Sequence, residues 1–202
     1  MKKQKTSHLR RADLTDASVL AHLMNMVSEG ELALKFGADA DIDETWLNVA
    51  RKLISQTTSE LSYTNCIVYE IDGDVAGMML LNWLSSHMPE IDVSQIDEDA
   101  RPANELVMLV SGSLLIRELG VFEKYRKQGI AKAFLQLAEG YAKSKSIPML
   151  SLTVHETSTA ALAAYQNYGF EFVNFRPILE HSSWAKGSKL FLMCKQMAQK
   201  TS

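Results

Sequence analysis

The sequence predicts an α+β fold: a mixed, mostly antiparallel central sheet with flanking helices. Three observations carry that prediction. The apolar runs CIVYEI and VAGMMLLNWL flank Asp72-Gly73-Asp74, a strong signal for a tight antiparallel hairpin. Residues 113–155 read strand–helix–strand, a unit whose two strands run parallel. The last two strand-like runs, FEFVNFR and SKLFLMCKQM, are separated only by the loop PILEHSSWAKG and read as antiparallel strands.

Taken in order, the chain opens with an extended lead at HLRRAD. A helix follows, with Leu20, Leu23, Met24 and Val27 at helical spacing and Gly30 as its stop. The segment DIDETWLNVARKLISQ predicts a second helix, with Asp43 as its cap and Trp46, Leu47, Ala50, Leu53 and Ile54 on one apolar face. After the hairpin, residues 84–112 are irregular and acid-rich and hold two of the four prolines. They read as an insertion with some helix around 103–110, of a length usually kept for function. SLLIRELGVF is a buried strand. RKQGIAKAFLQLAEGYAKSKSI is a long helix with Ile130, Phe134, Leu137, Ala138 and Tyr141 on its buried stripe. Gly140, a poor helix former, points to close packing there. MLSLTVH is a strand, and STAALAAYQNYGF is a short helix ended by Gly169.

Composition narrows the classes of function. The chain is 47% hydrophobic and 22% charged over 202 residues, enough for one domain spanning 1–202 with the 84–112 insertion on it. Cys66 and Cys194 lack metal-ligand spacing and read as reduced thiols facing the core, which fits a cytoplasmic protein without a metal. A net charge of −3 argues against a nucleic-acid partner. The basic MKKQK is followed by polar sequence rather than an apolar core, and no apolar run reaches membrane-spanning length.

The chemistry concentrates in YRKQGIAKAF, residues 125–134. A helix start leaves backbone N–H groups unpaired and carries the positive end of the macrodipole, so an anion is stabilised there. Gly129 lets an oxygen approach the backbone, Ala131 is nearly as small, and Arg126 and Lys127 add positive charge. Neither GxxxxGK[ST] nor GxGxxG is present. Local physics leaves two readings open, an anion cradle and a tight strand–helix turn.

The segments ELGVFEKYRKQGIAKAFLQLAEGYA and LSLTVHETSTAALAAYQNYGFEFV resemble the GNAT superfamily of CoA-dependent N-acetyltransferases. Its pattern [RQ]xxGx[GA] after an LxV strand is met by Arg126, Gly129 and Ala131 after Leu119 and Val121. Its AxxxYxxxGF pattern is met by Ala161, Tyr165, Gly169 and Phe170. The resemblance covers residues 113–176 closely. It implies a splayed parallel strand pair and acetyl-CoA as co-substrate. It also implies a cradle for the CoA pyrophosphate from the amides of Gln128, Gly129, Ile130 and Ala131, with Arg126 and Lys127 nearby. Leu119, Gly120 and Val121 would pair with the pantetheine arm, and a backbone N–H near Val121 would polarise the acetyl oxygen. Tyr165 would protonate the leaving thiolate. The family often has proline where Glu123 stands and asparagine where Ser158 stands. Ser158 can cap its helix, and a CoA contact from it is the expectation that departure weakens.

A general base is also required, since acylation needs a neutral amine. Glu118, on the strand beside the splay, is the first candidate, and strand alternation puts it opposite Arg117. His155 is the second. Glu180, His181 and Trp184, in the late loop, are candidates for the acceptor side, and the acidic run DVSQIDEDA would attract a cationic acceptor. The expected activity is transfer of an acetyl group from acetyl-CoA to a primary amine by direct attack in a ternary complex, since no cysteine lies in the motif. The alternative is a catalytically silent CoA-binding regulatory or interaction module. A homodimer through the late strands is an expectation from the resemblance alone.

Overall fold

The computed structural model describes residues 6–38, 40–41, 43–87, 96–178 and 188–198. Seven strands form a mixed sheet in the order β1-β2-β3-β4-β5-β7-β6. They are β1 (Ser7–Arg11), β2 (Cys66–Ile71), β3 (Asp74–Trp83), β4 (Leu114–Val121), β5 (Met149–His155), β6 (Glu171–Pro177) and β7 (Lys189–Gln196). Among the described residues six α-helices accompany them: α1 (Ala17–Val27), α2 (Glu31–Ala38), α3 (Trp46–Ser55), α4 (Arg101–Met108), α5 (Ile130–Ser144) and α6 (Thr159–Asn167). The predicted hairpin is present, with Asp72 at φ 52° and Gly73 at φ 90°, the left-handed pair that matches strand twist. The predicted parallel pair is β4–β5, in register from Leu114↔Leu150 to Ile116↔Leu152. The last two strands are antiparallel to each other, and β7 lies between β5 and β6.

The chain divides into two compact units, Met1–Leu81 with Glu118–Phe134, and Asn82–Arg117 with Leu135–Ser202. In the first unit, α1 and α3 lay their apolar faces on β2 and β3. Leu20, Leu23, Met24, Ala50, Ile54, Cys66, Val68, Met78 and Leu80 are all buried in one cluster. Each large side chain removed from water there stabilises the fold by about 1.5–3 kcal/mol. The Arg10 guanidinium binds Asp16 at 2.7 and 3.0 Å and Glu70 at 2.7 Å, tying β1 to β2 and to the turn that opens α1. The predicted face of α3 holds, but its cap is Thr45, whose hydroxyl accepts from Asn48 N, and not Asp43. The short helix α2 is not among the sequence expectations. Its start is held by Asn25 and Ser28, which accept from the amides of Ala33 and Leu32.

In the second unit, Leu84, Leu106, Val110, Leu115, Leu192 and Cys194 form the core cluster. The helix expected at 103–110 is α4, two residues earlier. Ser113 and Ser151 are both buried and share a 2.7 Å hydrogen bond. On α5 the buried side chains are Ile130, Phe134, Leu135, Ala138 and Ala142, while Tyr141 is exposed. The buried stripe therefore runs through Leu135 and Ala142 and leaves the phenol in water.

Gly140 does not pack closely. A Cβ there meets nothing within 4 Å, and the residue is exposed in the interior of α5. Gly140→Ala is therefore expected to stabilise the protein by roughly 0.5–1 kcal/mol, through the lost freedom of the unfolded chain. The denaturant midpoint checks this, and an unchanged or lower midpoint contradicts it.

Candidate active site

The opening of α5 is built from two left-handed residues. After β4 the chain makes a 3-10 turn over Glu123–Tyr125. Tyr125 fastens that turn by donating its hydroxyl to Asp74 of the hairpin at 3.2 Å. Arg126 is extended, Lys127 stands at φ 61° and Gly129 at φ 81°, and α5 starts at Ile130. Successive residues of this kind turn their N–H groups to one side and make an anion-binding concavity. No acceptor among the described residues takes a bond from the amides of Lys127, Gln128, Gly129, Ile130 or Ala131. A Cβ on Gly129 meets nothing within 4 Å, so the space before the glycine is open. These residues suit a phosphate-bearing ligand: unpaired donors, a helix N-terminus, exposed Arg126 and Lys127 and an open approach.

Arg126 is directed by its neighbours. Its Nε donates to Val121 O at 3.1 Å, and Nη2 lies 3.8 Å from Met26 Sδ of α1. Gln128 Nε2 reaches Lys124 O at 3.5 Å. Upstream, Gly120 carries a constraint of its own. A Cβ on it would stand 2.7 Å from Val27 Cγ2 of α1, so only glycine lets the strand lie this close to the helix. Across in β3, a Cβ on Gly77 would stand 2.6 Å from Gly120 O. Gly77 escaped the sequence reading, although a glycine inside a strand-like run is the mark of close backbone approach. Phe122 N donates to Ala76 O at 3.0 Å, so the strand leading into the cradle is fixed to β3.

Glu118 is half-buried on β4. It lies near enough to Cys66 to raise the thiol: burial first, and the Glu118 charge second, push Cys66 up to about 12. Gly120, two residues along the strand, faces Val27 of α1, so strand alternation turns Glu118 to that same side of the sheet. Arg117 next to it is exposed, as strand alternation predicts.

In the second unit, the ladder between β4 and β5 ends at Ile116↔Leu152 although β5 continues to His155. His155 is buried. Its Nε2 faces Ser188 Oγ at 3.0 Å and its Nδ1 faces Thr157 Oγ1, so both ring nitrogens are engaged by hydroxyls. Ser158 precedes α6, but its side chain makes no cap bond, contrary to the expectation that it caps the helix. Tyr165 sits half-buried on α6, its ring edge-on to Phe170 at 5.8 Å between centroids. Glu180, His181 and Trp184 fall outside the described residues, as do the first four residues of DVSQIDEDA. No cluster of three His, Cys, Asp or Glu side chains among the described residues forms a metal centre.

The acetyltransferase (GNAT) family model matches residues 38–170. An N-acetyltransferase from Staphylococcus aureus Mu50 is 21% identical, with a TM-score of 0.65 over 93% of this chain and 100% of that one. A GNAT-family acetyltransferase from Streptococcus pneumoniae is 20% identical, with a TM-score of 0.59 over 96% and 100%. The ribosomal-protein-S18-alanine N-acetyltransferase from Escherichia coli is 13% identical, with a TM-score of 0.58 over 98% and 99%. At these identities the likeness carries the fold. No curated protein matches the chain.

Proposed function

The chain belongs to the acetyltransferase (GNAT) family, whose members use acetyl-CoA, and from that premise we propose that it transfers an acetyl group to a primary amine by direct attack in a ternary complex. The observation that carries the proposal is the row of unpaired amides at 127–131, set by the left-handed Lys127 and Gly129 at the start of α5. Gln128, Gly129, Ile130 and Ala131 hold the pyrophosphate through those amides, and Arg126 and Lys127 add charge. Leu119, Gly120 and Val121 lie along the pantetheine arm, and an amide near Val121 polarises the acetyl oxygen. Bound acetyl-CoA supplies an activated thioester. Ser158 takes a CoA contact in place of a cap.

Two side chains move the protons. Glu118 is the general base that accepts the amine's proton, supported by a half-buried position whose charge is felt at Cys66. Tyr165 is the acid that donates to the departing thiolate, which a phenol does without carrying charge at neutral pH. Both cysteines are buried, so no acetyl-cysteine intermediate is required.

Calorimetric titration with acetyl-CoA, then thiol release against a panel of primary amines, tests the whole reading. Binding with release toward one amine class supports it. Binding without release on a broad panel favours the silent CoA-binding module. Absence of binding removes the cradle assignment. Tyr165→Phe is expected to lower kcat by about 10²–10⁴-fold with little change in acetyl-CoA affinity. A variant as fast as the parent removes Tyr165 from the acid role.

A further inference from the structure

Helix α6 is weakly held by ordinary means. None of its nine residues is fully buried, and its N-cap makes no side-chain bond. A helix this short is marginal in water without tertiary support. Yet it carries the residue assigned the acid role.

Its C-terminal end is tied by charge. Lys195, on β7, donates from Nζ to the carbonyl of Tyr168, the C-cap residue of α6, at 2.9 Å, and to Glu139 Oε2 of α5 at 3.0 Å. The same ammonium lies 4.2 Å from the centroid of the Tyr168 ring. The Tyr168 hydroxyl donates to Glu139 Oε2 at 3.0 Å, and Lys143 donates to Oε1 at 2.6 Å. Three donors thus converge on one carboxylate, which they hold down at about 2, with Lys143 the largest cause and Lys195 next. A cation at a helix C-terminus also answers the unpaired carbonyls and the negative end of the macrodipole.

This knot leads directly to Tyr165. The Tyr168 and Phe170 amides both donate to Tyr165 O at 3.0 Å, and Gly169, at φ 93°, turns the chain so that buried Phe170 meets the Tyr165 ring. We infer that Lys195, Glu139 and Tyr168 form a clamp that positions Tyr165 for proton transfer. They are positioning residues: they act by fixing the end of α6 and, through Phe170, the direction of the Tyr165 ring. The inference rests on Tyr165 being the acid.

The test is a double-mutant cycle with Lys195→Met, Lys195→Arg and Tyr165→Phe. It reads thiol release from acetyl-CoA with the primary amine that turns over in the panel, or with water where none does. Lys195→Met is expected to lower kcat about tenfold to a hundredfold while leaving the acetyl-CoA KM within about twofold, as for a misplaced proton donor with the pyrophosphate cradle intact. Lys195→Arg restores most of that loss. In the Tyr165→Phe background, Lys195→Met costs nothing further. Independently of turnover, the Tyr165 ring resonances of the free protein labelled at tyrosine carbon shift in Lys195→Met and return in Lys195→Arg.

A Lys195→Met enzyme with parental kcat and unshifted Tyr165 resonances overturns the clamp. So does an equal kcat loss in both backgrounds, which marks a purely structural role. A silent Tyr165→Phe instead overturns the acid assignment, and the clamp's route with it.

Discussion

Gly129→Glu is expected to abolish acetyl-CoA binding while the fold persists. The side chain has room, since a Cβ at this position meets nothing within 4 Å. The cost to folding is the left-handed backbone, φ 81°, which charges a non-glycine residue about 1–2 kcal/mol. That is a fraction of the stability of an ordinary domain. The cost to binding is of another order. The carboxylate would stand among the amides proposed to hold the pyrophosphate, and like charges in contact cost several kcal/mol, a loss of affinity of roughly a hundredfold or more. Gly129→Ala pays the same backbone cost without the charge and should keep most of the affinity. A short acetyl thioester lacking the phosphates should react equally with both variants. Calorimetry against acetyl-CoA decides the matter. Parental affinity in Gly129→Glu would mean that the pyrophosphate lies elsewhere.

Gly77→Ala should be the most destabilising single-methyl change in the first unit. The added Cβ would stand 2.6 Å from Gly120 O, 3.2 Å from Val121 Cγ2 and 3.3 Å from Val121 Cα. Two of those three atoms are backbone, so no rotamer relieves the clash. Nor can β4 move freely, because Gly120 faces Val27 of α1 and Phe122 is bonded back to β3. Overpacking of this kind costs typically about 1–3 kcal/mol, and for a chain of this length each kcal/mol lowers Tm by about 2–4 °C. Since the residue displaced belongs to the strand assigned to the pantetheine arm, acetyl-CoA affinity should fall together with Tm. Thermal unfolding with and without acetyl-CoA measures both. A variant with parental Tm contradicts the close approach of the two strands.

Much of this architecture was legible in the sequence, for identifiable reasons. Asp72-Gly73-Asp74 allows few other conformations, so the hairpin followed, though not the register shift between Tyr69 and Glu70. The strand–helix–strand unit specified the parallel pair, and the glycine ahead of α5 specified an exposed helix start. What failed depended on rotation, or on contacts between segments far apart in sequence. The stripe on α5 was read through Tyr141 because the spacing allowed it, while burial follows Leu135 and Ala142 and leaves the hydroxyl in water. Asp43 and Thr45 are both capping residues two positions apart, and only the first helical residue, Trp46, chooses between them. Helix α2 lies beyond what the local pattern shows because ELALKFGA carries Gly37 and follows a helix stop; its start is stabilised by Asn25 in the last turn of α1 and by Ser28, the cap residue after it. The contact of Arg126 with Met26 and that of His155 with Ser188 join residues that no local pattern connects.

The two buried cysteines have a practical consequence. Burial pushes the Cys194 thiol up to about 11 and, with Glu118, the Cys66 thiol up to about 12. Neither is a thiolate at neutral pH, and the thiolate is the reactive form. A chromogenic thiol reagent added to the folded enzyme will therefore be consumed by liberated CoA and not by the protein. Any slow consumption without substrate, up to two equivalents per chain, then reports how often the two cores open, giving an internal gauge of folding in the same cuvette.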